Sequence, residues 1–334
     1  MTKVNDPAHS HSRTLRSGTR IPAIGFGTFG SDHIGHDDMA AAVATAIRAG
    51  YRLIDCAAVY GNEREIGAAI ARTLPELGLA RGELYLMSKV WNDAHAPAAV
   101  QRSVRQSITD LGCKYLDACF IHWPFRNYHA PFARPDDRNP DSHPFILEEF
   151  LETWAALETM HDAGLVRQLG MSNMTVAKLE RILPRIRIRP ELIEMELHPA
   201  FQQPGLFEYA RERGIQPVGY APLGSPSRPE RDTTPEDVNV LEMPVIRAIA
   251  AERGVHPATV ALLWAITRGQ IPIPLSTNPA HIQANLAVLD MEPLSAAEMH
   301  RIAAADANCR LIKGQVFLWP GASDWRVLWD QTDS

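Results

Sequence analysis

The chain has 334 residues, 46 % of them apolar and 22 % charged, the balance of a globular protein with a sizeable core rather than a disordered one. Its net charge of −6 offers no basic face to a phosphate backbone, so nucleic acid is excluded as an expected partner and a small molecule is favoured. Cys56, Cys113, Cys119 and Cys309 are scattered, with no C-x-x-C pair and no histidine at ligand spacing, so neither a disulfide frame nor a zinc site is expected. The polar N-terminus has no signal-like apolar core, and no apolar stretch reaches the ~18 residues of a membrane span. The expected location is the cytoplasm, with no membrane partner.

Residues 1–13 are expected to be flexible, with His9 and His11 solvated. The stretch from Thr14 reads as a short hairpin turning at Ser17-Gly18 and leading into a strand at Ala23–Thr28. Further strand-like runs follow at Arg52–Cys56, Leu84–Lys89, Leu116–Ile121, Val166–Met171, Leu192–Leu197, Gln216–Tyr220 and Ile271–Leu275. Helical patterns lie between them at Asp37–Ala49, Asn62–Leu74, Ala98–Leu111, Ile146–Ala163, Val176–Leu183, Gly205–Arg213, Met243–Arg253, Pro257–Arg268 and Pro279–Leu289. In the second, Ile66, Ile70 and Leu74 recur every four residues as an apolar stripe would. A last helix is expected at Ser295–Ala305, where Ser295 can cap and Glu298 can complete a capping box.

Eight strands alternating with helices, without a composition shift to mark a linker, predict an α/β fold. It is a single (β/α)8 TIM barrel over residues 1–334, with an N-terminal hairpin and a long C-terminal loop at residues 306–334, rather than a doubly wound sheet with a second domain. Three stretches exceed ordinary connections: Phe125–Pro144, Gly224–Leu241 and the tail from Asn308 to Ser334. Long loops in compact domains are functional lids or disordered, and these three can gather at one mouth of the barrel.

Four polar residues stand where apolar runs give way to loops: Asp55 and Tyr60 in D-C-A-A-V-Y-G-N-E, Lys89 in L-Y-L-M-S-K-V-W-N and His122 in C-F-I-H-W-P. Each alone reads equally well as a cap, an interface aromatic, a rim charge or a core histidine. Together they suit carbonyl reduction. Hydride transfer to a carbonyl builds negative charge on oxygen, so a proton donor must stand beside it. A tyrosine with a reference pKa of about 10 becomes a better donor when an ammonium lowers that value. Lys89 can supply the ammonium, Asp55 can keep a buried lysine charged, and His122 can orient the carbonyl. Catalytic groups of a barrel sit at the C-terminal ends of its strands, and all four satisfy this.

Other readings compete. Gly25-x-Gly27-x-x-Gly30 is formally a dinucleotide fingerprint with Asp55 at a plausible distance, but Ser31–His36 separates it from the next helix. His122, His198 and Asp55 could be ligands of a metal-dependent barrel hydrolase, which leaves the lysine unexplained. A non-catalytic, redox-sensing nicotinamide-binding module is the third alternative, and the intact tetrad argues against it.

From about residue 14 to residue 330 the chain resembles an aldo-keto reductase, with wording around Trp91 and His122 similar to the xylose and aldose reductase branch. The agreeing motifs are G-F-G-T at Gly25–Thr28, D-C-A-A-V-Y-G-N-E at Asp55–Glu63, S-K-V-W-N at Ser88–Asn92, I-H-W-P at Ile121–Pro124, G-M-S-N at Gly170–Asn173, E-L-H-P at Glu196–Pro199 and G-Y-A-P-L-G-S at Gly219–Ser225. The resemblance implies reduction of a small-molecule aldehyde or ketone, a sugar among the candidates, by a monomer that binds NAD(P)H at the barrel mouth. It also implies that Ser172 and Asn173 hold the nicotinamide carboxamide, Tyr220 stacks on the ring, Leu223 and Ser225 follow the pyrophosphate, and Gly27 and Thr28 flank the cofactor. On sequence alone, Ser172-Asn173 also reads as a helix cap before Val176 and Tyr220 as a core aromatic.

Two departures from that pattern stand out. Counting back from H-P puts Glu194, or a residue two places off, where the family has a glutamine against the carboxamide, and a carboxylate cannot donate a hydrogen bond. Leu275 and His281 replace the lysine and arginine that grip a 2′-phosphate, leaving Ser276, Thr277, Asn278 and Asn285 as polar contacts. NADH is therefore the expected preference. The substrate pocket is expected at Phe29, Trp91 and Trp123 with the tail aromatics Phe317, Trp319, Trp325 and Trp329, the tail serving equally as a strap over the barrel wall. No metal is expected.

Overall fold

Gly18 takes a φ of +84°, the left-handed geometry that glycine tolerates. It lets Ser12–Thr14 (β1) fold back antiparallel on Arg20–Pro22 (β2), with Arg13 opposite Ile21. The computed structural model describes residues 11–30, 33–129, 137, 139–226, 228–229 and 232–331. Of the start expected to be flexible, residues 1–10, His9 included, lie outside the described residues, while Ser12 and Arg13 belong to β1. His11 pairs at the surface with Asp290 at 3.1 Å.

Eight strands then run in chain order, each parallel to the next: Phe26–Gly27 (β3), Leu53–Asp55 (β4), Tyr85–Val90 (β5), Leu116–Ile121 (β6), Val166–Ser172 (β7), Leu192–Glu196 (β8), Gln216–Tyr220 (β9) and Ile271–Pro272 (β10). The first and last meet through Gly25 N–H to Pro272 O and Gly27 N–H to Pro274 O, both 3.0 Å. The sheet thus closes as the expected barrel. Both seam strands are shorter than their apolar runs suggest, because Pro272 and Pro274 accept hydrogen bonds but have no N–H to return. A Cβ on Gly25 would lie 2.3 Å from Leu53 Cδ2 and 2.4 Å from Ile273 Cδ1. Gly25 and Gly27 of the formal fingerprint therefore let the seam close, Gly30 packs against Ile34 instead, and the next helix starts only at His36.

Inside the barrel, Leu53, Tyr85, Met87, Phe120, Leu192, Val218, Ile271 and Ile273 pack with Leu15 and Ile21 of the hairpin, which plugs one end. Outside, helices at the expected places cover the strands, with Ile66, Ile70 and Leu74 buried as the stripe predicted. The Ser295–Glu298 capping box is present. Thr175, not Ser172 or Asn173, caps the helix Val176–Ile182 through Lys178 N–H at 3.2 Å.

Candidate active site

Lys89 leaves β5 pointing into the open end of the barrel, and only 1 % of it is exposed. Its ammonium donates to Asp55 Oδ1 at 2.6 Å and to the Cys56 carbonyl at 3.1 Å, both at the end of β4. A second carboxylate, Glu194 on β8, comes within 3.3 Å. A 3-10 turn at Ala58–Tyr60, ended by Gly61 at φ +68°, brings the half-buried Tyr60 ring back over the lysine, 5.6 Å from Nζ to the ring centroid. His122 follows β6 and meets Tyr60 edge-on at 6.0 Å between centroids. All four predicted catalytic residues are thus brought together, with Glu194 against the ammonium as a fifth member.

Burial works to lower the Lys89 pKa, but Asp55, Glu194 and Tyr60 outweigh it and hold the ammonium well above its usual value. Burial pushes the Tyr60 hydroxyl up, with Lys89 only partly opposing and Asp55 and Glu194 adding to the rise. This corrects the expectation of a depressed phenol: loss of water around the ring exceeds the attraction of one ammonium whose charge two carboxylates already share. Tyr60 is accordingly protonated at neutral pH. Burial, followed by Lys89, depresses His122 well below its ordinary value, leaving it neutral, and its Nδ1 is buried without a hydrogen-bond partner among the described residues.

Beside this cluster lie Ser172 and Asn173, both buried at the end of β7. Asn173 adopts φ +57°. Its amide donates to the His122 carbonyl at 2.9 Å and accepts from the Tyr220 hydroxyl at 2.7 Å, so Tyr220 is a half-buried wall residue tied to Asn173. Thr28 is buried; its hydroxyl donates to Asp55 O at 2.8 Å while Asn62 donates to its carbonyl at 2.9 Å, so it fixes the end of β4. Gly27 sits in the seam, where a Cβ would lie 3.2 Å from Ile273 and 3.7 Å from Leu275.

After β9, Leu223 is half-buried and Ser225 takes φ +41°. Arg228, unnoticed in the sequence, donates to the carbonyls of Gly224 and Ser225, each at 3.3 Å, and pairs with Asp237. Lys313 of the tail joins the same Asp237 at 2.8 Å. Beyond β10, Leu275, Ser276 and Thr277 lead to the helix Pro279–Ala287, capped by Asn278 through Ala280 N–H at 2.9 Å. His281 is exposed in its first turn and Asn285 is buried one turn later, on the same face.

The tail from Asn308 is bonded across the open end. Glu196 accepts from Leu311 N–H at 2.7 Å and Ile312 N–H at 3.0 Å, Asn127 donates to Phe317 O at 2.9 Å, and Lys178 donates to Leu328 O at 2.9 Å. Val316, Phe317, Leu318, Leu328 and Trp329 bury Trp123 and Phe125, with Trp91 and Trp319 at the edge. Trp123 lies 4.7 Å from Phe317 and 5.5 Å from Trp329. Trp91 faces both His122 at 5.0 Å and Phe317 at 5.8 Å. Phe29, 44 % exposed, stands 5.0 Å from Tyr60 on the other side. Because the tail touches Trp91, which touches His122, deleting the residues after Leu311 is expected to change relative KM among carbonyl substrates while leaving dinucleotide affinity nearly intact. Steady-state kinetics on a substrate panel checks this, and unaltered KM ratios would confine the tail to a strap.

Among the described residues no group of three His, Cys, Asp or Glu is placed to hold a metal. His198 pairs with Glu196 through Nε2 at 2.9 Å. Among the same residues no helix is long and apolar enough to cross a membrane.

The chain matches the Aldo/keto reductase family over residues 23–307. It is 39 % identical over 322 residues to an aldo/keto reductase of Synechocystis sp., covering 95 % of both chains. It is 37 % identical over 303 residues to aldo-keto reductase family 1 member A1 of Homo sapiens, covering 89 % of this chain and 90 % of the other. The aldose reductase structure from Schistosoma japonicum aligns with a TM-score of 0.79 at 31 % identity, over 94 % of this chain and 98 % of that one. Barrel, buried lysine and these relatives agree: the chain belongs to the aldo/keto reductase family. It is an oxidoreductase of the carbonyl-reducing kind.

Proposed function

We propose that the protein reduces an aldehyde or ketone to the alcohol with NAD(P)H, Tyr60 giving the proton, and that it acts as a cytoplasmic monomer on small molecules. The observation that carries this reading is the Lys89 ammonium, buried between Asp55 at 2.6 Å and Glu194 at 3.3 Å and overlain by Tyr60. The mouth also suits a dinucleotide. Glu194 Oε2 is buried with no hydrogen-bond partner among the described residues, and Asn173, Ala221 and Ser225 hold left-handed φ of +57°, +50° and +41°. Such strain concentrates where loops clamp ligands. Ser172, Asn173 and Glu194 would meet the carboxamide, Tyr220 the ring, Gly27 and Thr28 the flank, Leu223 and Ser225 the pyrophosphate, and Ser276, Thr277, His281 and Asn285 the adenosine end.

When bound, the reduced nicotinamide supplies a hydride, two electrons and a proton's mass, to the carbonyl carbon. Tyr60 supplies the proton to the oxygen and is left as a phenolate, which the Lys89 ammonium stabilises in a site from which water is excluded. Asp55 and Glu194 keep that ammonium charged. Neutral His122 directs a ring N–H to the carbonyl oxygen, fixing which face of the substrate is presented. Phe29, Trp91, Trp123 and Trp319 form an apolar wall for the rest of the substrate. Turnover of a panel of aldehydes, ketones and sugars, followed by nicotinamide absorbance with both dinucleotides, tests the proposal; no turnover of any carbonyl would overturn it.

NADH is the preferred donor on this reading, because Leu275 and His281 leave a 2′-phosphate without lysine and arginine, and Arg228 is engaged by Asp237. Leu275→Lys with His281→Arg is expected to improve NADPH binding by roughly tenfold or more per contact, since charge-assisted hydrogen bonds contribute about 1.5–3 kcal/mol each. NADH should respond little, and added salt should weaken the NADPH gain selectively. Titration of both dinucleotides checks it. A wild type that prefers NADPH by more than about tenfold, or about 1.4 kcal/mol, would show that other residues hold the phosphate.

A further inference from the structure

Proton donation by Tyr60 needs one carboxylate on Lys89, and the structure has two. Glu194 pairs in register with Ser172 across β7 and β8, and its carbonyl accepts from Asn173 N–H at 3.1 Å. One oxygen of its side chain lies 3.3 Å from the ammonium; the other is buried without a partner among the described residues. One ammonium cannot hold two carboxylates ionised in so dry a place. The bond to Asp55 is shorter, 2.6 Å, so the extra proton belongs on Glu194. Burial and then the Asp55 charge push the Glu194 carboxyl up to about 8, against the pull of Lys89.

Of the other groups facing this carboxyl, Asp55 is also pushed up by its burial, against the pull of Lys89, and the rest hold one charge state through the neutral range. Lys89 stays cationic; burial raises Tyr60, Tyr220 and Cys56, which stay neutral, and depresses His122, which stays neutral too. Glu196, next but one on the same strand, is held ionised against its burial by His198 and Arg310. Asp55 keeps the shorter ion pair.

We propose that Glu194 discriminates the redox state of the bound dinucleotide: its carboxyl, wedged against Lys89 and bordering Ser172 and Asn173, makes the preference for oxidised over reduced cofactor grow as pH rises. The inference rests on the function proposed above. An oxidised nicotinamide carries a positive charge that the reduced ring lacks, and an ionised Glu194 attracts it. The neutral acid exerts no such pull but has an O–H to donate to a carboxamide oxygen, as glutamine would donate an N–H. Binding of the oxidised form therefore lowers the Glu194 pKa and releases a proton, while binding of the reduced form does not. By linkage, the preference rises from the lowered value in the oxidised complex up to the value in the reduced complex, which the donated O–H holds at or above about 8, and is level beyond it.

The test is to measure dissociation constants of oxidised and reduced dinucleotide, by quenching of tryptophan fluorescence, from about pH 6 to about pH 9 in the wild type and in Glu194→Gln. The wild-type ratio of reduced to oxidised dissociation constants is expected to rise about tenfold over that interval, at most one decade per pH unit for one proton. In the glutamine variant the ratio should not change with pH. A flat wild-type ratio, or a glutamine variant that keeps the wild-type slope, overturns the proposal. If the variant does not fold, the wild-type slope alone decides. Failure of either dinucleotide to bind the wild type overturns the function itself, and this inference with it.

Discussion

Phenylalanine in place of Tyr60 is expected to lower kcat by roughly 10²-fold or more, the scale of general acid catalysis, with dinucleotide binding little changed. The ring and its contacts with Phe29 at 5.0 Å and His122 at 6.0 Å are retained, so only the hydroxyl that carries the proton is removed. The raised ionisation of the hydroxyl sharpens the expectation. Tyr60 is fully protonated at neutral pH, so the donor is always present, and the cost of forming the phenolate falls on Lys89 to offset. Steady-state kinetics with a reactive aldehyde, together with a titration of the reduced dinucleotide, checks both halves. Near-full turnover by the variant would remove Tyr60 from the mechanism.

Lys89→Met should damage both rate and stability. The phenolate left by proton transfer would have no counter-ion, so kcat is expected to fall by roughly 10²-fold or more. Asp55 and Glu194 would face each other in a buried site without the ammonium, and breaking a buried ion pair by removing one partner costs about 3–5 kcal/mol. The sign of its pH dependence follows from the carboxyls. Their folded-state pKa values rise further without Lys89, so the folded state of the variant binds protons more tightly than the unfolded chain. Stability is then fully present below the unfolded carboxylate range and is lost as pH rises through the folded values, from about 4.5 past the wild-type Glu194 value of about 8. In the wild type Lys89 adds no slope there, since its own raised pKa lies above 10.5. Thermal melts of wild type and variant across this interval check it; a variant with wild-type stability at the alkaline end would contradict the buried two-carboxylate cluster.

The barrel was legible because its strands are buried on both faces and read as largely apolar runs, as in Leu116–Ile121 with Asp117 its one charge, while the covering helices show one-sided stripes such as Ile66, Ile70 and Leu74. Asp55, Lys89 and His122 were legible for the converse reason: a polar residue at the end of such a run has to face the mouth. What the chain order hides is which charges meet. Glu194 and Glu196 alternate on β8 and so share a face, yet one contacts Lys89 and the other takes the amides of Leu311 and Ile312. Nothing local distinguishes them. The helix cap was ambiguous in the same way, since Asn173 and Thr175 both satisfy the capping preference. Asn173 is taken by Tyr220 and the His122 carbonyl, and Thr175 is left to cap. The Tyr60 shift was misjudged because a sequence shows the nearby ammonium but not the depth of burial that outweighs it. The tail's aromatics were visible, but not Glu196, Asn127 and Lys178 that hold it across the mouth.

The most direct measurement of hydride reduction at this site uses a reduced dinucleotide deuterated at the transferring position of the nicotinamide, incubated with the wild-type protein and an aldehyde it turns over. Mass spectrometry of the alcohol is predicted to show about one deuterium per molecule, on the former carbonyl carbon, with a matching amount of oxidised dinucleotide. Alcohol formed without the label, or dinucleotide oxidised without alcohol, would contradict direct transfer from cofactor to carbonyl beside Tyr60.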